Sequence, residues 1–130
     1  MIGKSFLKEK FNSFYYPCKG NIPLPKVIMI EPTNACNLRC SMCYAQAHLR
    51  DRYFLSPPNF ENIINRFPKI NELIFCGIGE PLLNKDIFNM INIAKARGVP
   101  FINLVTNGKL IDKEISGKIV NSVINRIQIS

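Results

Sequence analysis

The 130-residue chain is 47% hydrophobic and 20% charged, with a formal net charge of +8; this length suits one domain with a core, and the composition excludes a disordered chain. No apolar run approaches a membrane span, and charges break up the N-terminus, so no secretory leader is expected. We expect a cytoplasmic protein with reduced thiols, because an odd number of cysteines, five, also fits a disulfide framework poorly.

Five lysines against one glutamate fall within residues 1–26. Leu7, Phe11, Phe14 and Tyr15 have amphipathic helical spacing there, so the plain expectation is a solvated helix face. No aromatic-interleaved basic stripe accompanies it, and no nucleic-acid partner is expected. The run CKGNIPLP then acts as a linker. KVIMIEPT, bounded by prolines, predicts a strand buried on both faces. YAQAHLRDRY, past the cysteines, has helical composition.

Ser56 followed by Pro57 and Pro58 predicts a helix start, with Phe60, Ile63, Ile64 and Phe67 on one apolar face. ELIFCGIGEP reads as a second buried strand running into glycines. Asn84 is expected to cap a helix from Lys85 to Arg97, with Ile87, Met90, Ile91 and Ala94 inward and Gly98 at its end. FINLVTNG predicts a third strand stopping at Asn107-Gly108. Asp112 starts a further helix reaching Asn121, and RIQIS is a fourth strand.

Strands alternating with helices predict a parallel sheet built from βα units. A fourth strand ending at Ser130 without a covering helix would leave apolar surface and an edge exposed, so we expect a fragment of a longer αβ barrel.

The chemistry concentrates in CNLRCSMC, residues 36–43. Cys36, Cys40 and Cys43 are spaced C-x3-C-x2-C on the loop after the first strand, where parallel αβ folds carry their sites. Thiolates are soft ligands for iron–sulfur clusters, zinc or copper(I). On spacing alone three readings stand: three irons of a [4Fe–4S] cubane; zinc completed by His48, Cys18 or Cys76; or three structural thiols. GIGEP, residues 77–81, ends the second strand and faces the same rim. Its glycines permit close approach of a ligand, Pro81 holds Glu80 extended, and outward carbonyls with a carboxylate can receive an ammonium group. Cys76 is expected to pack as a small apolar residue, and Arg39 to be solvated.

Taken together, EPTNACNLRCSMC, GIGEPLL, TNG at 106–108 and the terminal IQIS resemble the radical S-adenosylmethionine family, possessing its C-x3-C-x-φ-C pattern and a variant of its GGEP motif in the family's order. The first strand and CNLRC-x-MC especially resemble the branch with a cysteine-rich C-terminal extension (SPASM). The resemblance covers residues 26–130, after a helical segment and linker at 1–25. It implies an α/β fold, the first four strands of a six-stranded partial (βα) barrel. It also implies a [4Fe–4S] cluster on Cys36, Cys40 and Cys43, with S-adenosylmethionine on the open iron. Gly77, Gly79 and Glu80 would lie along the methionine ammonium, Met42 beside the adenine, and Ser130 and Asn107 near the cofactor's polar groups. Ile78 interrupts the glycine doublet, and Met42 is not aromatic. The implied partners are a peptide or small-molecule substrate and a reductant such as flavodoxin or ferredoxin. The competing expectation is a zinc- or iron–sulfur-binding interaction module without catalysis.

Overall fold

In the computed structural model, which describes residues 24–43 and 51–130, four short strands form one parallel sheet. They are β1 (Val27–Ile30), β2 (Glu72–Phe75), β3 (Phe101–Thr106) and β4 (Arg126–Ile129), neighbours in chain order. Ile30 pairs with Phe75, Phe75 with Leu104, and Leu104 with Ile127. The carboxyl ends of β1 and β2 are level with each other and those of β3 and β4 lie two residues further on, so the loops that follow them share one rim. Among the described residues no helix is long and apolar enough to cross a membrane.

The helices are α1 (Pro57–Ile64), α2 (Ile87–Ala96) and α3 (Lys113–Val120), with a 3₁₀ turn at Pro81–Leu83. Pro57 and Pro58 open α1 after an extended Ser56, because proline at the first turn loses no helical hydrogen bond. Phe60 and Ile64 are fully buried, whereas Ile63 is 37% exposed and Phe67 lies past the helix end. The predicted apolar face is therefore narrower than its spacing suggests. In α2 the predicted inward residues Ile87, Met90, Ile91 and Ala94 are all buried, and Gly98 ends the helix at φ +84°, a conformation that favours glycine. Asp112 caps α3 by accepting a hydrogen bond from Ile115 N–H at 2.8 Å.

Asn84 has a different task from the one its sequence position suggests. α2 starts two residues later than expected, after Asp86. The Asn84 side chain instead donates to the Pro32 and Leu55 carbonyls, both at 2.9 Å, and accepts from Asp86 N–H at 3.0 Å. It ties the rim together rather than capping the helix.

The core lies between the helices and one face of the sheet. Ile28, Ile30, Leu73, Phe75, Ile102 and Leu104 meet Phe60, Met90 and Ile91 there, and the Phe60 and Phe75 rings stand 5.6 Å apart. The opposite face is more open, and this corrects the reading of KVIMIEPT as buried on both sides: Val27 is 54% and Met29 66% exposed. An apolar run alone does not distinguish a strand covered twice from an edge strand covered once. Of the expected helical segment and linker at 1–25, residues 1–23 fall outside the described residues, as do Cys18 and His48. Of YAQAHLRDRY only residues 51–53 are described, and they form a bend and irregular backbone rather than a helix.

Gly117 sits inside α3, with no neighbouring atom within 4 Å of where a Cβ would stand. Gly117→Ala should therefore raise unfolding stability by about 0.5–1 kcal/mol in a urea titration, by limiting the unfolded backbone and improving helix propensity. A loss of stability would show that α3 packs more tightly than this arrangement has it.

Candidate active site

Glu31, just past β1, starts the arrangement of the rim. Its carboxylate accepts from the backbone N–H of Ile78 in GIGEP and from Tyr53 Oη, the latter at 2.7 Å. One side chain thereby joins the segment leading into the cysteine loop, the glycine loop after β2, and the chain entering α1. Around it, Leu55 N–H donates to Pro32 O at 2.8 Å and Tyr53 N–H to Asn34 Oδ1 at 2.8 Å. Thr33 is buried and donates its hydroxyl to Tyr53 O. Sequence reading took EPTNA only as a strand end. Its signal was the density of residues able to bond backbone groups, which satisfies orphan donors and acceptors where a chain leaves a sheet.

The glycines of GIGEP have a reason for being small that the sequence did not supply. A Cβ on Gly79 would overlap the backbone carbonyls of Thr33 and Ala35, and one on Gly77 would overlap the Glu31 side chain. The glycines were expected to admit a ligand; here they admit the neighbouring loop. Glu80 N–H donates to Ala35 O at 2.8 Å and completes that contact.

Glu80 adopts the extended conformation expected before Pro81. Its carboxylate is buried at 2% exposure and accepts from Thr106 Oγ1 at 2.6 Å, Asn107 N–H at 2.7 Å and Leu82 N–H at 3.1 Å. These donors pin the end of β2 to the end of β3. What the segment turns toward a ligand is then mainly its backbone.

Cys36, Cys40, Cys43, Gly77, Gly79, Glu80, Asn107 and Ser130 line one cavity of about 210 Å³ at the carboxyl ends of the strands. Ser130 is placed by its N–H bond to Thr106 O at 3.0 Å. Met42, 94% exposed in the turn between Cys40 and Cys43, is not among the lining residues. Asn107 serves as both turn and wall residue. Its Oδ1 accepts from Lys109 N–H at 2.9 Å, while its Nδ2 reaches Asn37 Oδ1 at 2.8 Å and Cys36 Sγ at 3.9 Å. Leu38 N–H also approaches Cys36 Sγ, at 3.4 Å. Such N–H···S contacts are among the features that tune iron–sulfur centres.

Cys76 departs from expectation. It stands just past β2, partly exposed, and lines this same cavity instead of packing in the core. Burial, and then the nearby Glu31 charge, push its thiol pKa up, which disfavours the thiolate form that ligates a metal.

The donor set suits a soft metal centre. Cys36, Cys40 and Cys43 are all free thiols. Among the described residues no three such donors are drawn close enough to hold a metal ion as they stand. However, no residue of 36–43 belongs to the hydrophobic core, so the thiols can draw together without disturbing a core contact. The residues present fit a cluster.

Residues 30–130 match the Radical SAM superfamily. The chain belongs to that family. It is 32% identical over 93 residues to the tungsten-containing aldehyde ferredoxin oxidoreductase cofactor-modifying protein of Pyrococcus furiosus, covering 69% of this chain and 26% of that protein. In fold it resembles BtrN, crystallised with AdoMet and 2-DOIA, at a TM-score of 0.69 and 19% identity, over 82% of this chain and 45% of BtrN. It also resembles Streptococcus suis SuiB bound to precursor peptide SuiA, at a TM-score of 0.67 and 24% identity, over 82% of this chain and 24% of SuiB. The four parallel strands are those of the family's partial barrel. The chain thus spans less than half the length of each of these proteins.

Burial, then the Glu31 hydrogen bond and charge, raise the Tyr53 pKa from 10.0 to about 12. An unfolded tyrosine ionises near pH 10 while folded Tyr53 holds its proton, so above that pH the unfolded state binds fewer protons and stability falls between about pH 10 and 12. Below pH 10 Tyr53 adds no pH dependence. In an ultraviolet titration Tyr53 should give an ionisation step near pH 12, and Tyr53→Phe should remove that late step. Retention of the step in the variant would contradict the Glu31 contact.

Proposed function

We propose that this chain carries the radical-generating part of a radical S-adenosylmethionine enzyme. Cys36, Cys40 and Cys43 hold a [4Fe–4S] cluster, and S-adenosylmethionine occupies the cavity beside it. The observation that carries this reading is that the three thiols and the GIGEP backbone line one cavity. When bound, the cluster and S-adenosylmethionine supply reductive carbon–sulfur cleavage, giving methionine and a 5′-deoxyadenosyl radical that takes a hydrogen atom from substrate.

The protein's own part is placement. The backbone of Gly77, Ile78 and Gly79 offers carbonyls to the methionine ammonium, held at the correct height by Glu31 and Glu80. Asn107 and Ser130 offer polar groups to the rest of the cofactor, and Met42 lies on the loop that would meet the adenine. Cys76 stays outside the ligand set. The substrate is a peptide or small molecule, and the electron comes from a flavodoxin- or ferredoxin-type reductant.

Anaerobic equilibrium dialysis against radiolabelled S-adenosylmethionine, before and after reconstitution with iron and sulfide, tests this reading. Retention should depend on the reconstituted cluster. Equal retention without iron, or a purified chain carrying stoichiometric zinc that iron does not displace, would contradict it and favour a zinc module.

A further inference from the structure

Cys36 is the thiol that follows directly on a fixed piece of scaffold. Ala35 before it is 3% exposed, donates its N–H to Thr33 Oγ1 at 3.0 Å and accepts from Glu80 N–H at 2.8 Å. Cys40 is exposed, and Cys43 closes the turn beyond it. When the three thiols draw together, Cys40 and Cys43 have the room to move, and the surroundings of Cys36 persist.

Two nitrogen donors approach the Cys36 sulfur. Leu38 N–H is local, at 3.4 Å. Asn107 Nδ2 comes from the end of β3, 71 residues away in the chain, at 3.9 Å, a long contact that the larger sulfur atom still allows. This side chain is held at three points. Nδ2 also donates to Asn37 Oδ1 at 2.8 Å, Oδ1 accepts from Lys109 N–H at 2.9 Å, and the Asn107 backbone N–H donates to the buried Glu80 carboxylate at 2.7 Å. An amide nitrogen carries two hydrogens, enough for Asn37 and Cys36 together, and Oδ1 keeps one lone pair for the cofactor. As a free thiol, Cys36 turns its own hydrogen toward Asn37 Oδ1, at 4.0 Å. Ligation removes that proton and leaves a negatively charged sulfur that only accepts, which strengthens the N–H···S contacts made to it.

We infer that Asn107 raises the reduction potential of the cluster by donating a hydrogen bond to Cys36. Reduction by one electron places more negative charge on the sulfurs, so a donor aimed at one of them stabilises the reduced form more than the oxidised form. The electron is the one supplied by the external reductant, and the donor eases its entry. The inference rests on the proposed function for the presence of a cluster, and goes beyond it by giving Asn107 a task in electron entry. In this task Asn107 acts through Cys36 and is a positioning residue.

The test is a redox titration of the whole chain, reconstituted anaerobically with iron and sulfide and followed by electron paramagnetic resonance without S-adenosylmethionine. In Asn107→Ala the iron content should match wild type while the reduction equilibrium constant falls about threefold to tenfold, a potential about 30–60 mV more negative for a one-electron couple. Asn107→Asp keeps the acceptor for Lys109 N–H, and with it the turn, but exchanges the donor for a negative charge; its potential should fall at least as far. Asn37→Ala removes the oxygen that orients Nδ2 and should also lower the potential. Combined with Asn107→Ala it should add nothing further, because both act through one contact. A potential at or above that of wild type in either Asn107 variant would overturn the inference. So would additive shifts in the double variant, or loss of iron from both Asn107 variants, which would give the residue a structural role. A wild-type chain that assembles no cluster overturns both readings, whereas unchanged potentials overturn this one alone, so the two failures are separable.

Discussion

Replacing any one of Cys36, Cys40 or Cys43 by alanine should reduce iron retained after anaerobic reconstitution to below about a tenth of the wild-type amount, because metal-site affinity collapses when a ligand is lost. Cys76→Ala and Cys18→Ala should retain full loading. The contrast with Cys76 is the informative part, because all four described cysteines line one cavity. Proximity alone would allow Cys76 to substitute for a missing ligand. Its raised thiol pKa, caused by burial and the Glu31 charge, and its anchorage at the end of β2 argue that it does not. Iron and sulfide analysis of the five variants decides the matter. Full loading of a Cys36, Cys40 or Cys43 variant would remove that residue from the ligand set, and loss in Cys76→Ala would add a ligand the family pattern lacks.

Gly79→Ala carries the second large effect. Its new methyl group meets backbone rather than a yielding side chain, since the Thr33 and Ala35 carbonyls occupy that space. GIGEP must then move off the segment leading to the cysteines, breaking the 2.8 Å bond from Glu80 N–H to Ala35 O. Overpacking of this kind costs about 1–3 kcal/mol, and the lost hydrogen bond roughly another 1. Chemical denaturation should register a loss of about 2–4 kcal/mol, and S-adenosylmethionine retention should fall much more than iron loading. In Gly77→Ala the atoms nearest the new methyl belong to the Glu31 side chain rather than to backbone, and the effect should be milder. Equal stability of Gly79→Ala and wild type would show that the two loops are not in contact as described.

Much of the scaffold was legible because it rests on short-range rules. The inward residues of α2, the proline start of α1, the Asp112 cap and the positive-φ glycines Gly98 and Gly108 follow from periodicity and turn chemistry. The cysteine spacing and GIGEP were legible as motifs, and the register of the parallel strands brings them to one rim. What escaped is long-range. That Asn84 would bond to Pro32 and Leu55 rather than cap its own helix depends on how the rim folds back. That the glycines make room for residues 31–35, and that Glu80 spends its carboxylate on Thr106 and Asn107, requires knowing which loops abut. Asn103 escaped for a related reason: FINLVT reads as a strand whichever face its asparagine takes, and only in three dimensions is its Oδ1 seen to be buried with no hydrogen-bond partner among the described residues.

The central claim is that the three-thiol loop and the glycine loop together make a cluster with an open coordination position. Electron paramagnetic resonance of the anaerobically reconstituted and reduced chain, with and without S-adenosylmethionine, tests it most directly. The account predicts a [4Fe–4S]⁺ signal whose shape changes when S-adenosylmethionine is added, because the ligand binds the iron that no cysteine holds. A cluster signal unaffected by saturating S-adenosylmethionine would contradict it.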